Sequence, residues 1–313
     1  MKPSKTAYLK RAKPLLGTWV LVAVKGESPE RAHQAIDRAF EAVVKVQKLM
    51  SAHDENSDVG RLARQAPFTP LRIDPWTHQV LALGEKIAWL SGGVFDVTIG
   101  GKLAQRGFLP SGGGLAGADG LFTRARYTDI DLLPDSRVML RRPCRVDLGG
   151  IAKGFAVDRA LEAAFTVAGT SDVVINAGGD LRVKTRTAQE IWLRDPFQSD
   201  RFWLGGLSRE GAFASSGGRE AARESRQGDE TPIALPGSGR FQSWLPGVTV
   251  AAGECALADA LTKVLLLAPA PTARKALEEF KARALVARDG QGFRDWEGGS
   301  LSAPISRWPK RGL

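Results

Sequence analysis

Strand-forming runs come in groups in this chain, with single helices between the groups, and that order most limits the folds open to it. A first strand reads in Leu15–Val24, and further β-rich runs read at 127–131, 137–140, 172–176, 191–194, 211–214, 247–252 and 284–287. Four helices read from capping residues and apolar spacing. Ser28 caps and Pro29 starts the first, whose Ala32, Ala35, Ile36, Ala39, Phe40, Val43 and Leu49 share a face. The second opens at Asp74-Pro75, carries Val80, Leu81, Ile87 and Leu90, and stops at Gly92-Gly93. The third spans 151–165 and the fourth 254–267. A doubly wound sheet would need strict alternation of strand and helix. The grouping predicts an α+β fold instead: a single domain of largely antiparallel β-sheet packed with helices.

Residues 15–300 read as that one domain, flanked by a basic N-terminal extension (1–14) and a basic C-terminal tail (301–313). Gly112–Gly117 satisfies the G-x-G-x-x-G pattern. No strand precedes it, and Asp119-Gly120 follows where a helix should begin, so it reads as a loop. The stretch 217–246, rich in Gly, Arg, Glu, Ser and Pro, reads as a long surface excursion.

Lys and Arg outnumber Asp and Glu by 44 to 34, a formal charge of +10, which favours anionic partners. Nucleic acid is excluded as that partner: the basic residues are scattered, no nucleic-acid-binding signature appears, and only Arg307–Arg311 clusters. Cys144 and Cys255 are the only cysteines and lack metal-ligand spacing, so they read as buried, reduced thiols. No apolar stretch reaches the roughly 18 residues of a membrane span. The opening residues show neither a leader cleavage site nor a lipidation cysteine, which points to the cytoplasm. A start codon placed too far downstream would leave the periplasm as the alternative.

The chemistry concentrates in residues 147–158. Val146-Asp147-Leu148 reads as a strand end, Ile151–Phe165 as a helix, and Gly149-Gly150 as the junction between them. Glycines let a phosphate approach the backbone, helix-start amides carry positive partial charge, and Lys153 adds a full one. The alternative is a tight turn with a solvated lysine.

Four more segments stand in register with this one: Leu16-Gly17-Thr18, Gly93–Thr98, Asn176–Asp180 and Ala258–Thr262. Together the five resemble the FAD:protein FMN transferase family, the ApbE-like flavin transferases, over roughly residues 15–290. The resemblance implies transfer of FMN from FAD to a threonine of a target flavoprotein, with release of AMP and a requirement for magnesium. It places Leu16, His53, Val94, Phe95, Asp96, Asp147 and Lys153 against FAD. It places Gly150, through its carbonyl, and Asp259, through its carboxylate, on the magnesium ion, with Thr262 and Lys263, beside and at the family's hydroxyl position, as the remaining candidate metal residues. Asp259 and Lys153 are the candidate catalytic residues.

Two departures from the family pattern stand out. Relatives carry a hydroxyl residue one helical turn after the position of Asp259; here Lys263 stands there, with Thr262 one residue earlier. An Asp–Lys pair at i,i+4 is also what an ordinary helix ion pair looks like. After Ala214–Gly217, relatives carry His-x-x-Asp-Pro-x-Thr-Gly, whereas this chain has Glu224–Pro232, with Asp229 and Glu230 as the candidate substitutes for the histidine. All three histidines, His33, His53 and His78, lie in the first quarter of the chain. These departures keep two rivals open: a relative that binds or hydrolyses FAD without transfer, and a non-enzymatic flavin carrier.

Overall fold

A computed structural model of the chain describes residues 7–110, 122–198, 200–217, 231–235, 240–242, 245–288, 292–297 and 300–304. The Gly112–Gly117 loop, Asp229, Glu230 and the Arg307–Arg311 cluster lie outside them.

The chain opens on a hairpin. β1 (Ala7–Leu15) pairs with β2 (Thr18–Gly26) along its whole length, and Leu16 and Gly17 make the turn at φ 55° and 71°. Two consecutive left-handed residues match the twist of the flanking strands, the geometry of a two-residue hairpin. Two expectations are corrected here. Most of the supposed N-terminal extension is a sheet strand, and the Leu15–Val24 run is broken by the turn. Lys10, Arg11 and Lys13 disguised β1, and charges of this kind are what an edge strand carries.

β2 continues into α1 (Pro29–Met50), where the Ser28 hydroxyl accepts from the Arg31 amide and buries the expected stripe: Ala32, Ala35, Ile36, Ala39, Phe40 and Val43. A short α2 (Asp58–Ala63) and β3 (Leu71–Arg72) follow, then α3 (Pro75–Leu90), whose Asp74 cap accepts from the Trp76 amide. Beyond a 3₁₀ turn at Val97–Ile99 comes α4 (Gly100–Gln105). β4 (Ile130–Leu133) and β5 (Arg137–Leu140) join β3 in a small sheet ordered β3-β5-β4. α5 (Ala152–Phe165), β6 (Thr170–Ala177), β7 (Asp180–Arg194) and β8 (Phe202–Ser216) come next.

β9 (Ala234–Leu235) and β10 (Arg240–Phe241) form a small pair within the stretch read as an excursion. β11 (Gly247–Ala252) leads into α6 (Cys255–Leu267) and α7 (Ala270–Glu279). The chain returns to the sheet with β12 (Arg283–Arg288), β13 (Gly292–Glu297) and β14 (Ser300–Pro304), so the segment read as a tail begins inside a strand.

The nine-stranded sheet, ordered β1-β2-β6-β7-β8-β11-β12-β13-β14, is antiparallel at every pairing. This is the α+β single domain expected. α1 and α5 cover β2 and β6 through Val22, Ile36, Phe40, Val157 and Ile175. α3, α6 and the small sheet close a second core around Phe95, Leu140, Val250 and Leu261. Each such fully buried side chain contributes roughly 1.5–3 kcal/mol of transfer free energy. Every residue of β11 is buried, as expected of a strand covered on both faces.

Candidate active site

Three segments meet where the two cores join. The first leaves α3, where the Ser91 hydroxyl accepts from the Phe95 amide at 3.1 Å and turns the ring inward until it is 7% exposed. Asp96 then fixes the loop: Oδ1 accepts from the Thr98 amide at 2.8 Å and hydroxyl at 2.7 Å, and Oδ2 from the Tyr127 amide at 3.0 Å. Burial raises the Asp96 carboxyl above its usual range despite these bonds. Both oxygens are already engaged, so Asp96 shapes the wall before it touches any ligand.

The second segment is 143–150. The expected strand end at Val146–Leu148 belongs to no strand or helix, and is held by the Asp147 amide donating to the Val97 carbonyl at 2.8 Å. Asp147 accepts from the Gly149 amide at 3.3 Å, and burial raises its carboxyl too. Gly150 lies between two other lining residues: a Cβ there would make ordinary contact with the Phe95 ring at 3.4 Å and with Lys263 Cε at 3.6 Å.

The third segment is the crossing of α5 and α6. A Cβ on Gly154 would lie 2.2 Å from the Cys255 carbonyl oxygen, so only glycine allows this approach. The two helices then cap each other. Asp158 of α5 accepts from the Cys255 and Ala256 amides at 2.9 and 2.8 Å, and Asp259 of α6 accepts from the Gly154 amide at 3.3 Å. These carboxylates answer helix-start amides and dipoles that would otherwise be orphaned.

Around that crossing sit two buried carboxylates and two ammonium groups. Lys153 Nζ lies 3.1 Å from Asp180 Oδ2, with Asp180 1% exposed. Lys263 Nζ donates to Asp259 Oδ1 and, at 3.1 Å, to the Asp259 carbonyl. Burial opposes ionisation of Asp259, but Lys263, Lys153 and the Gly154 amide outweigh it and hold the carboxyl below its ordinary range. Asp180 goes the other way, raised by burial and by the neighbouring Asp259 charge against the pull of Lys153. Asp180 and Asp158 are the site residues that sequence reading passed over. Asp180 lay in a quoted motif, 27 positions from its partner Lys153, and only the turn between β6 and β7 brings them together.

The result is a cavity of about 240 Å³ lined by Val94, Phe95, Asp96, Asp147, Gly150 and Lys263, with further apolar wall from Phe108 and Ile233. Six of the predicted site residues thus share one hollow. Asp259 and Thr262 lie buried behind it. Lys153 is turned to Asp180 rather than to a phosphate, and the helix start that was to hold the phosphate already gives an amide to Asp259. Leu16 sits at the hairpin turn, its amide donating to Gln47 at 2.7 Å, and His53 is exposed beside a neighbouring hollow with Arg145. A larger surface hollow of about 690 Å³, between α7 and β12–β13, contains none of the motif residues.

The ApbE family profile matches residues 16–286. The chain belongs to the ApbE family. A FAD:protein FMN transferase of Rhodobacter capsulatus is 28% identical to this ApbE chain over 215 residues, covering 66% of the chain and 41% of that protein. One from Treponema pallidum is 26% identical over 212 residues, covering 59% and 58%. The matches thus span about half the length of these curated relatives. Among solved structures, the ApbE protein of Thermotoga maritima superposes with a TM-score of 0.75 at 24% identity, covering 93% of this chain and 97% of its own. The flavin transferase ApbE from Vibrio cholerae gives 0.73 at 19%, covering 94% and 98%. These structures share the fold.

The magnesium implied by the family resemblance does not fit the residues of this ApbE chain. Asp259 Oδ1 carries the Lys263 ammonium and Oδ2 the Gly154 amide, and the Thr262 hydroxyl is engaged with the Asp259 carbonyl at 2.6 Å and Ser216 at 2.8 Å. Among the described residues, no group of three or more His, Cys, Asp or Glu is arranged to hold a metal. Magnesium prefers several oxygen ligands in near-octahedral array, and a seated ammonium is the opposite of one.

Proposed function

We propose that this protein transfers FMN from FAD to a threonine hydroxyl of a target flavoprotein and releases AMP. The observation that carries the reading is the cavity itself. In a chain of this family, an apolar hollow closed by Phe95 and Phe108 has one wall of acid, glycine and lysine from Asp147, Gly150 and Lys263. That pairing suits a ligand with a flat apolar end and an anionic middle. At about 240 Å³ the hollow is sized for the ring end of FAD, with the pyrophosphate at the Gly150–Lys263 rim.

In this reading the threonine oxygen bonds to the FMN-side phosphorus as the bond from that phosphorus to the bridging oxygen breaks; the bridging oxygen leaves with AMP, and the hydroxyl proton passes to the departing phosphate or to solvent. Phosphoryl transfer needs mainly positioning and charge neutralisation. Phe95, oriented by Ser91, holds the ring; the Lys263 ammonium offsets pyrophosphate charge. A general base toward the hydroxyl is worth about 10²–10⁴ in rate, and the family's histidine segment is replaced here by Glu224–Pro232. That replacement favours, as a second reading, an FAD binder or hydrolase without transfer.

Incubation with FAD and a threonine-bearing flavoprotein domain separates the readings. Flavin fluorescence surviving on the denatured acceptor in a gel is expected. AMP release without labelled acceptor would indicate hydrolysis, and FAD binding without AMP a carrier; either would overturn the proposal.

A further inference from the structure

The four charges at the α5–α6 crossing are not equivalent. Lys153 faces Asp180, and neither residue lines the cavity. Lys263 takes a different course. It stands one turn after Asp259 on the same face of α6, and its stem runs close over Gly150, with Cε 3.6 Å and Cδ 3.8 Å from where a Cβ would be. Its side chain therefore does two things at once: the ammonium covers Asp259 Oδ1, and the residue forms part of the cavity lining. Two of its three donors go to the Asp259 carboxylate and carbonyl, which leaves one for a ligand. Its side chain is 17% exposed and that of Asp259 1%, so the pair is sheltered from water and salt.

A divalent ion needs the carboxylate oxygen that Lys263 covers, and it would sit within ion-pair distance of an ammonium of like sign. The two compete for one place. We propose that Lys263 is the resident cation of this site: it holds the Asp259 position in place of a divalent metal and presents its charge to the anionic middle of the ligand. The ligand class, a flavin dinucleotide, rests on the functional reading above; the assignment of Lys263 does not.

The consequence is a site that binds its dinucleotide without added metal and becomes a metal site when the lysine is removed. Manganese(II) serves as the probe, counted by electron paramagnetic resonance in the wild type, in Lys263→Ser and in Lys263→Ser/Asp259→Asn. The expected result is no site-bound manganese in the wild type, one ion in Lys263→Ser, and none in the double variant. FAD fluorescence titration supplies the second readout. Wild-type affinity is expected to be the same in EDTA and in magnesium, whereas Lys263→Ser loses at least tenfold in EDTA and recovers with magnesium. One manganese ion bound by the wild type and lost in Asp259→Asn would overturn the proposal without any variant at Lys263. So would a Lys263→Ser protein that gains no ion. Absence of FAD binding under every condition would refute the flavin reading alone, because the manganese counts still decide the role of Lys263.

Discussion

At the scale of single residues, the same two residue types at the crossing have different duties. Lys153 looked like the phosphate-binding lysine, and its position at a helix start after two glycines was legible in the sequence. What was not legible was Asp180, because the partner lies on another element and nothing in local spacing links them. Lys153 therefore acts first on stability. Lys153→Met should cost about 2–3 kcal/mol, below the usual 3–5 for breaking a buried pair because the lysine is 35% exposed. Replacing both partners, Lys153→Met with Asp180→Leu, should recover most of that loss, as measured by urea denaturation. A double variant no more stable than the single one would mean that Asp180 is satisfied by something other than Lys153. Asp158 makes a second residue-scale prediction. Burial outweighs its two amide bonds and Arg182 and raises its carboxyl to about 6. A carboxyl raised on folding keeps its proton longer in the native state, so native stability gains as pH falls from about 6 toward the unfolded value near 4. Asp158→Asn removes that gain. The deficit of the variant against wild type should thus be larger at pH 5 than at pH 7.5, and equal deficits would refute the direction of the shift.

At the scale of elements, the helices were readable and several strands were not. α1 and α3 announced themselves by caps, proline starts and apolar faces, which are local signals. β1 was hidden by its charges. β7 and β8 run for 15 residues each, longer than the short runs at 191–194 and 211–214, because β7 buries no residue between Lys184 and Glu190 and so shows no apolar alternation there. α7 carries a weaker cap and went unread. The crossing of α5 and α6 is the element-scale feature that builds the site, and it rests on Gly154. Gly154→Ala should cost about 3 kcal/mol, since the clash is with backbone that cannot rotate away. The shift it forces moves Gly150 and Lys263 apart, so FAD affinity should fall along with the melting temperature. A Gly154→Ala protein with unchanged melting temperature would show that the helices can separate without loss, contrary to the mutual capping described.

For the molecule as a whole, the grouping of strands between single helices was enough to exclude a doubly wound sheet, and the nine-stranded antiparallel sheet follows from it. The candidate site was legible in part. Val94, Phe95, Asp96, Asp147, Gly150 and Lys263, drawn from the separate segments 94–96 and 147–150 and from α6, line one cavity, while Leu16 and His53 stand outside it. Register among motifs carries such long-range information, and the i,i+4 spacing of Asp259 and Lys263 already offered their ion pair; the pairing of Lys153 with Asp180 depends on side-chain directions that spacing does not encode. In the proposed function this hollow, with a lysine as its built-in cation, delivers FMN to a protein hydroxyl. The most direct measurement is the intact mass of a threonine-bearing flavoprotein domain after incubation with this protein and FAD, beside the same domain with that threonine changed to alanine. One covalently added FMN is expected on the first domain, none on the second, and AMP in equal amount. An unmodified acceptor, with FAD demonstrably bound to the protein, would contradict it.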